Sequence, residues 1–180
     1  MSTDALQRTP MPLADYLALP EGIRAEWVDG IAIVTPTPTA PHQRISFRLA
    51  NAIDEGCPGL FMVEAVGWRT SATRYRIPDI IATTEPFDGS WATTTPVIAV
   101  EILSPGTRTE DTVRKSHEYA SAGVAHYWIV DRERHILTAL VNSGDGWEIL
   151  LELTAEQPDG SIGVGDHGTV EIRLDRLFAT

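Results

Sequence analysis

A single cysteine, Cys57, is all the thiol chemistry in this chain. It excludes an internal disulfide and fits a reducing compartment. Set between Gly56 and Pro58 at an expected helix end, it has no evident partner for redox or nucleophilic work. No apolar run approaches the ~20 residues a membrane span needs. The opening residues, Met1 to Arg8, are polar and carry an acid, unlike a secretory leader. The expected location is therefore cytoplasmic, with no membrane partner. Positive charge is scarce as well: 14 basic against 25 acidic side chains leave a formal net charge of −11. That speaks against tight, non-specific duplex binding, which a basic surface supplies. Lysine is almost missing, since 13 of the 14 basic residues are arginine and Lys115 is the exception.

What is present describes a globular protein, 43% hydrophobic and 22% charged over 180 residues. One domain over residues 12–180 is expected, after a mobile arm at 1–11 that has a proline, Pro10, and no periodicity. There are no internal repeats. The negative charge lies mostly at the two ends. Residues 1–68 carry four basic and eight acidic side chains and residues 116–180 carry four and eleven, while residues 69–115 carry six of each. A cation bound in the middle segment would make it net positive.

Pattern and punctuation place the elements. Residues 12–19 read as a short helix with proline in its first turn. Residues 24–34 read as a hairpin, because Asp29-Gly30 suits a type I′ turn. The Thr-Pro repeat at 35–41 is an extended connection. Residues 42–55 form an amphipathic helix with Ile45, Leu49, Ala52 and Ile53 on one face. Strands are expected at 60–66, 67–70 and 74–83, the last entered through Pro78, followed by a loop at 84–95. Residues 96–103 are a nearly continuous apolar run, as in a strand buried on both faces. A helix capped by Thr107 or Thr109 then runs to Gly123, with Asp111, Lys115 and Tyr119 on one face and Val113, Ala120 and Val124 packed on the other. A strand at 125–130 and hairpins built from 136–141, 147–153 and 170–174 complete the chain.

The chemistry concentrates between Ile77 and Lys115. Asp79 follows Pro78 and leads into an apolar run; Glu101 lies within a buried strand, where an unpaired carboxylate is costly. Lysine differs from arginine in being a compact point charge whose pKa can be tuned. Two carboxylates and a lysine are what metal-assisted phosphodiester cleavage requires. The acids hold Mg²⁺, the metal activates a water, and the ammonium orients that water or neutralises phosphate charge. The bland alternative makes Asp79 a turn residue, Glu101 a solvent-facing acid and Lys115 the i,i+4 partner of Asp111, worth a few tenths of a kcal/mol, about 0.3.

Several stretches together resemble the Uma-type putative restriction endonuclease family of the PD-(D/E)XK nuclease superfamily. They are residues 24–30, His42, Pro78-Asp79-Ile80, Val100 to Pro105, Asp111 with Lys115 and Tyr119, and residues 123–131. The resemblance implies an α/β fold, a restriction-endonuclease-like mixed β-sheet core flanked by helices, here with an extra N-terminal hairpin and C-terminal β-hairpins. It implies Asp79 and Glu101 as metal ligands, with the Ile102 carbonyl as a third, and Mg²⁺ as the cofactor, with Mn²⁺ able to substitute. In Glu101-Ile102-Leu103 the superfamily's lysine position holds leucine, and the resemblance assigns the lysine's role to Lys115 on the following helix. Glu26 would bind a metal or orient water. Asp111, His42 and Tyr119 are accessory candidates, and Arg76 and Arg108 are expected to meet substrate phosphate.

The remaining histidines, at 117, 126, 135 and 167, lack zinc-ligand spacing and read as structural. Ser104 lacks a nucleophile-elbow setting. Trp27, Trp68, Trp128 and Trp147 lie in strands and read as core residues. The expectation is an Mg²⁺-dependent DNA endonuclease, with DNA as partner and a homodimer kept open. The rival is a non-catalytic interaction or regulatory module that retains the nuclease fold; the acidic flanks favour it, and the intact acid–acid–lysine set opposes it.

Overall fold

The computed structural model describes residues 6–20, 22–35, 37–104 and 108–179. Its strands are β1 (Gln7–Pro10), β2 (Ala25–Val28), β3 (Ile31–Val34), β4 (Phe61–Glu64), β5 (Gly67–Ser71), β6 (Arg74–Arg76), β7 (Ile80–Thr83), β8 (Trp91–Ala92), β9 (Ile98–Ile102), β10 (His126–Asp131), β11 (Ile136–Asn142), β12 (Trp147–Leu153), β13 (Asp159–Gly163) and β14 (Thr169–Arg173). The α-helices are α1 (Leu13–Leu17), α2 (Ala40–Gly56), α3 (Ser116–Ser121) and α4 (Leu174–Leu177), and a π-helical stretch over Glu110–Lys115 leads into α3. The fold is a mixed α/β fold, as expected.

Two six-stranded sheets carry the fold. The first has the order β1-β3-β2-β6-β5-β8, the second β12-β11-β10-β9-β7-β4, and β13 and β14 pair separately. The expected N-terminal hairpin is thus the middle of a larger sheet. Its turn is as the sequence implied, with positive φ at both Asp29 (49°) and Gly30 (89°). Residues 7–10, expected as part of a mobile arm, are instead strand β1, antiparallel to β3. Pro10 is tolerated there because β1 is an edge strand, with no ladder partner on its other side among the described residues. Residues 1–5 lie outside the described residues.

The expected single strand over 74–83 is divided. β6 belongs to the first sheet and β7 to the second, and the chain crosses between them through Ile77, Pro78 and Asp79. Pro78 lacks the N–H a continuous ladder would use, so the crossover falls where the sequence has least to lose.

In the second sheet β9 is fully buried, parallel to β10 and antiparallel to β7. Its alternation sends Ile98, Val100 and Ile102 into the main core with Leu49 and Ile53 of α2. Ala99 goes to the opposite face, with Tyr119, Tyr127 and Trp68, and Glu101 shares its parity. The register pairs Ile80 with Val100, so one further step sets Asp79 opposite Glu101. In the first sheet Ala25, Trp27 and Tyr75 pack with Tyr16 of α1, which leaves Glu26 and Arg76 on the other face.

The helix over 108–121 departs most from expectation. Its charged residues Glu110, Asp111, Lys115 and Glu118 are buried, while Val113, expected to pack, is 61% exposed. Thr109 is itself helical and makes no capping bond; Thr107 lies outside the described residues. The polar sides of this helix are turned toward ionic residues on both sheets, and that partnership outweighs the burial of one valine.

Leu49→Ala should therefore destabilise by about 2–5 kcal/mol, and Val113→Ala by no more than about 0.5 kcal/mol, in urea unfolding. A comparable loss from both would contradict the exposure of Val113.

Candidate active site

Alternation along β2, β6 and β9, together with the helix between the sheets, brings Glu26, Arg76, Glu101 and Lys115 into one buried ionic cluster. Lys115 is 5% exposed, and its Nζ lies 2.9 Å from Glu26 Oε1, 2.9 Å from Glu101 Oε1 and 3.2 Å from Asp111 Oδ1. Tyr119 donates its hydroxyl to the same Glu101 Oε1 at 2.9 Å. The Tyr127 hydroxyl donates to the Asp111 carbonyl at 2.8 Å and so ties the helix to β10.

Asp79 occupies the crossover between the sheets and is also buried. Its Oδ1 accepts from Arg24 at 3.0 Å; its Oδ2 lies 3.2 Å from His42 Nε2 and accepts the Ile102 N–H at 2.8 Å. That last bond fixes Asp79 against the end of β9, beside Glu101. The structure therefore gathers Asp79, Glu101, Lys115, Glu26, Ile102, Asp111, His42 and Tyr119 into one neighbourhood.

Arg76 has a different place from the one expected. At 2% exposure it cannot meet a phosphate. Its guanidinium is divided among three carboxylates: Glu118 at 2.7 Å, Glu26 at 3.0 Å and Glu110 at 3.1 Å. It is the internal counterion that holds Glu26, whose Oε1 also accepts the Ile77 N–H at 3.0 Å. The expectation of a phosphate contact is corrected accordingly. Arg108 lies at the surface, paired with Asp131 at 2.8 Å and with Glu133 at 3.5 Å. A phosphate would have to displace Asp131 to reach it.

Sequence reasoning assigned no site role to Arg24, Glu110 or Glu118. Arg24 shares parity with Glu26 two residues on, which was a legible signal. Asp111, Lys115 and Glu118 follow i, i+4, i+7 spacing, a polar stripe as regular as any apolar one. What the sequence could not supply was the buried Arg76 opposite.

The electrostatics follow from this packing. Burial would raise the Glu26 carboxyl, but Lys115, Arg76 and the Ile77 N–H overcome it and hold Glu26 below its usual range. Burial likewise opposes Asp79, and His42, Arg24 and the Ile102 N–H hold it low. Glu101 goes the other way. Burial pushes it well above the usual carboxylate range, and the charges of Asp111, Asp79 and Glu26 add to that against the pull of Lys115. Lys115, which burial alone would lower, is held well above its ordinary value by Glu101, Glu26 and Asp111. The ammonium is charged at neutral pH, and negative charge is in local excess around Glu101.

Among the described residues no group of three His, Cys, Asp or Glu side chains is arranged to hold a metal by side chains alone. The donor set nevertheless fits Mg²⁺. This ion commonly takes one or two protein carboxylates and completes its shell with water and substrate phosphate. Glu101 takes both its hydrogen bonds on Oε1, leaving Oε2 without a protein donor among the described residues. The local excess of negative charge is the environment a cation would relieve.

The sequence model described as "Putative restriction endonuclease", the Uma2 family, matches residues 13–162. The chain belongs to that family. The match spans every residue of the cluster except Arg8, which pairs with Glu110 from β1. Among solved structures, a putative nuclease from Anabaena variabilis ATCC 29413 shares the fold with a TM-score of 0.75 and 18% identity, covering 94% of this chain and 98% of that one. No curated protein sequence matches the chain.

Two outcomes follow from the cluster. Arg76→Met leaves three buried carboxylates without their shared cation and should cost about 3–5 kcal/mol of stability by urea unfolding. Glu101 gives a pH signature. Its folded pKa is raised, so the native state binds its proton more tightly than the unfolded chain, and that contribution is lost as pH rises through the folded value. Glu26 and Asp79, held low, contribute stability that is lost as pH falls through their folded values. In metal-free buffer the stability of Glu101→Gln relative to wild type should therefore increase as pH rises above about 4. A difference independent of pH would contradict the assignment.

Proposed function

We propose that this protein is a metal-dependent phosphodiesterase, a DNA endonuclease, acting through Asp79, Glu101 and Lys115. The observation that carries the reading is the placement of Lys115 Nζ 2.9 Å from Glu101, on the strand end where the Asp79 carboxylate is pinned by the Ile102 N–H. Family membership supports the same class of chemistry.

Asp79 and Glu101 would hold Mg²⁺, or Mn²⁺ in its place, with the Ile102 carbonyl nearby as a neutral donor. When bound, the ion supplies Lewis acidity toward the phosphate and lowers the pKa of a coordinated water. Lys115 orients the attacking water and offsets charge that builds on the phosphate, work suited to an ammonium that stays protonated. Glu26 and Asp111 set the position of that ammonium from two sides. Tyr119 holds Glu101 in its rotamer, and His42 and Arg24 hold Asp79. Arg76 acts one step back, as the residue that positions Glu26.

A second reading, an interaction module that keeps the fold, draws on the same geometry. Asp79 already accepts three hydrogen bonds and Lys115 already has three carboxylate partners, the economy of a structural ion cluster. The two readings part in one assay. With Mg²⁺ or Mn²⁺, purified protein should nick plasmid DNA, and Lys115→Met and Asp79→Asn should each lower the rate by about 100-fold or more. Either ion should raise the melting temperature of wild type and not of Glu101→Gln. Cleavage that survives both substitutions would sink the proposal, and no cleavage with no metal-induced shift would favour the module.

A further inference from the structure

Seven arginines (Arg8, Arg24, Arg74, Arg76, Arg108, Arg114 and Arg173) pair with carboxylates. In a chain with a net charge of −11 that is the expected fate of a cation. The other six (Arg44, Arg48, Arg69, Arg132, Arg134 and Arg176) differ, and three of them, Arg44, Arg48 and Arg132, lie together. Among the described residues none has a carboxylate partner: Arg48 donates to the Leu177 and Ala179 carbonyls, and Arg132 donates to the Thr39 hydroxyl at 2.7 Å. All three line one groove of about 490 Å³, together with His135, Phe178 and a single acid, Glu133. Glu133 is itself directed to Arg108 at 3.5 Å.

Aromatic surface accompanies the charge. The His135 and Phe178 rings stack at 4.5 Å with an interplanar angle of 8°. Phe47 lies between Arg44 and Arg48 on the outer face of α2, is 59% exposed, and with those two arginines lines a second, adjoining groove. An exposed phenylalanine is thus flanked by two arginines that have no carboxylate partner among the described residues. Cations for phosphates, with flat rings for unstacked bases, are what a single strand of nucleic acid requires.

We infer that the outer face of α2, with Arg132 and the His135–Phe178 stack, is a binding track for a single-stranded polynucleotide segment. Arg44, Arg48 and Arg132 contact phosphates, and Phe47 and His135 offer stacking faces to bases. Helix α2 also carries His42, which contacts Asp79 from its buried side. One helix thus bears the track on its outer face and touches the catalytic acid with its inner face. The inference rests on the nuclease reading and specifies its substrate: a region with unpaired strand, beside the scissile bond.

The test is fluorescence anisotropy with labelled oligo(dT) and oligo(U) of 12 residues and a duplex of equal length, in EDTA so that cleavage plays no part. Wild type should bind the single strands more tightly than the duplex. The comparison of dT with U tells whether DNA or RNA is the preferred source of the strand. Substituting Arg44, Arg48 and Arg132 together with alanine should reduce the slope of log affinity against log salt by about two, and Phe47→Ala should weaken single-strand binding about tenfold. Because Arg48 also bonds the Leu177 and Ala179 carbonyls, Arg44→Ala with Phe47→Ala, both exposed, serves as the variant that leaves those contacts intact. No binding by wild type, tighter binding of duplex, or unchanged affinity in the Arg44/Phe47 double variant would overturn the inference. These outcomes are independent of cleavage. A track that binds beside a site that does not cut would count against the nuclease reading alone.

Discussion

The ion cluster between the two sheets is the constraint on which the rest of this structure depends. Arg76 and Lys115, both nearly inaccessible, reach five carboxylates between them: Glu26, Glu101, Glu110, Asp111 and Glu118. Removing charges from water is expensive, and a well-packed apolar replacement of similar volume is often as stable or more so. Stability is therefore a poor reason for such a cluster. A site that must hold an ammonium against a carboxylate, away from bulk water, is a better one. Four surface arginines, at positions 8, 24, 74 and 114, reach in to the cluster and its neighbour Asp79 with their charged ends, and this is how an interior rich in acids is kept near balance.

The balance is local and incomplete. Asp79 and Glu26 are held ionised by donors aimed directly at them, whereas Glu101 stands where the other acids' fields overlap. Two neighbouring carboxylates, Asp79 on the crossover and Glu101 on β9, thus have opposite electrostatic characters. Such divergence is a common mark of a functional site, because structural pairs tend to satisfy both members. Among the described residues, Glu101 takes its hydrogen bonds on Oε1 and none on Oε2.

Much of this was legible from the sequence, and the reasons for what was not are physical. The Asp29-Gly30 turn, the α2 helix and the buried β9 strand each announce themselves through a local pattern, and the structure follows all three. Lys115 stood out by composition alone. The crossover at Pro78 was hidden because β6 and β7 are both strands, and periodicity does not say to which sheet a strand belongs. On the helix over 108–121 Val113 was read as packed and is exposed, whereas Val124 beyond its end is buried as expected. Apolar patterning assumes that charge seeks water, and here a guanidinium from β6 lay waiting inside. The same assumption sent Arg76 to the surface as a phosphate ligand. The π-helical turn at 110–115 and the strand β1 depend on contacts made from far along the chain, so no short window contained them.

The crossover at Asp79 has a further consequence. Glu26 and Arg76 belong to one sheet, Glu101 to the other, and Lys115 to the helix clasped between them. The cluster therefore has no existence in either sheet alone. A ribosome-bound chain that has released its first hundred residues holds Asp79 and Glu26 but not the lysine, and a chain whose layers have come apart has scattered all of them. The cluster is assembled only where both sheets and the helix are packed together.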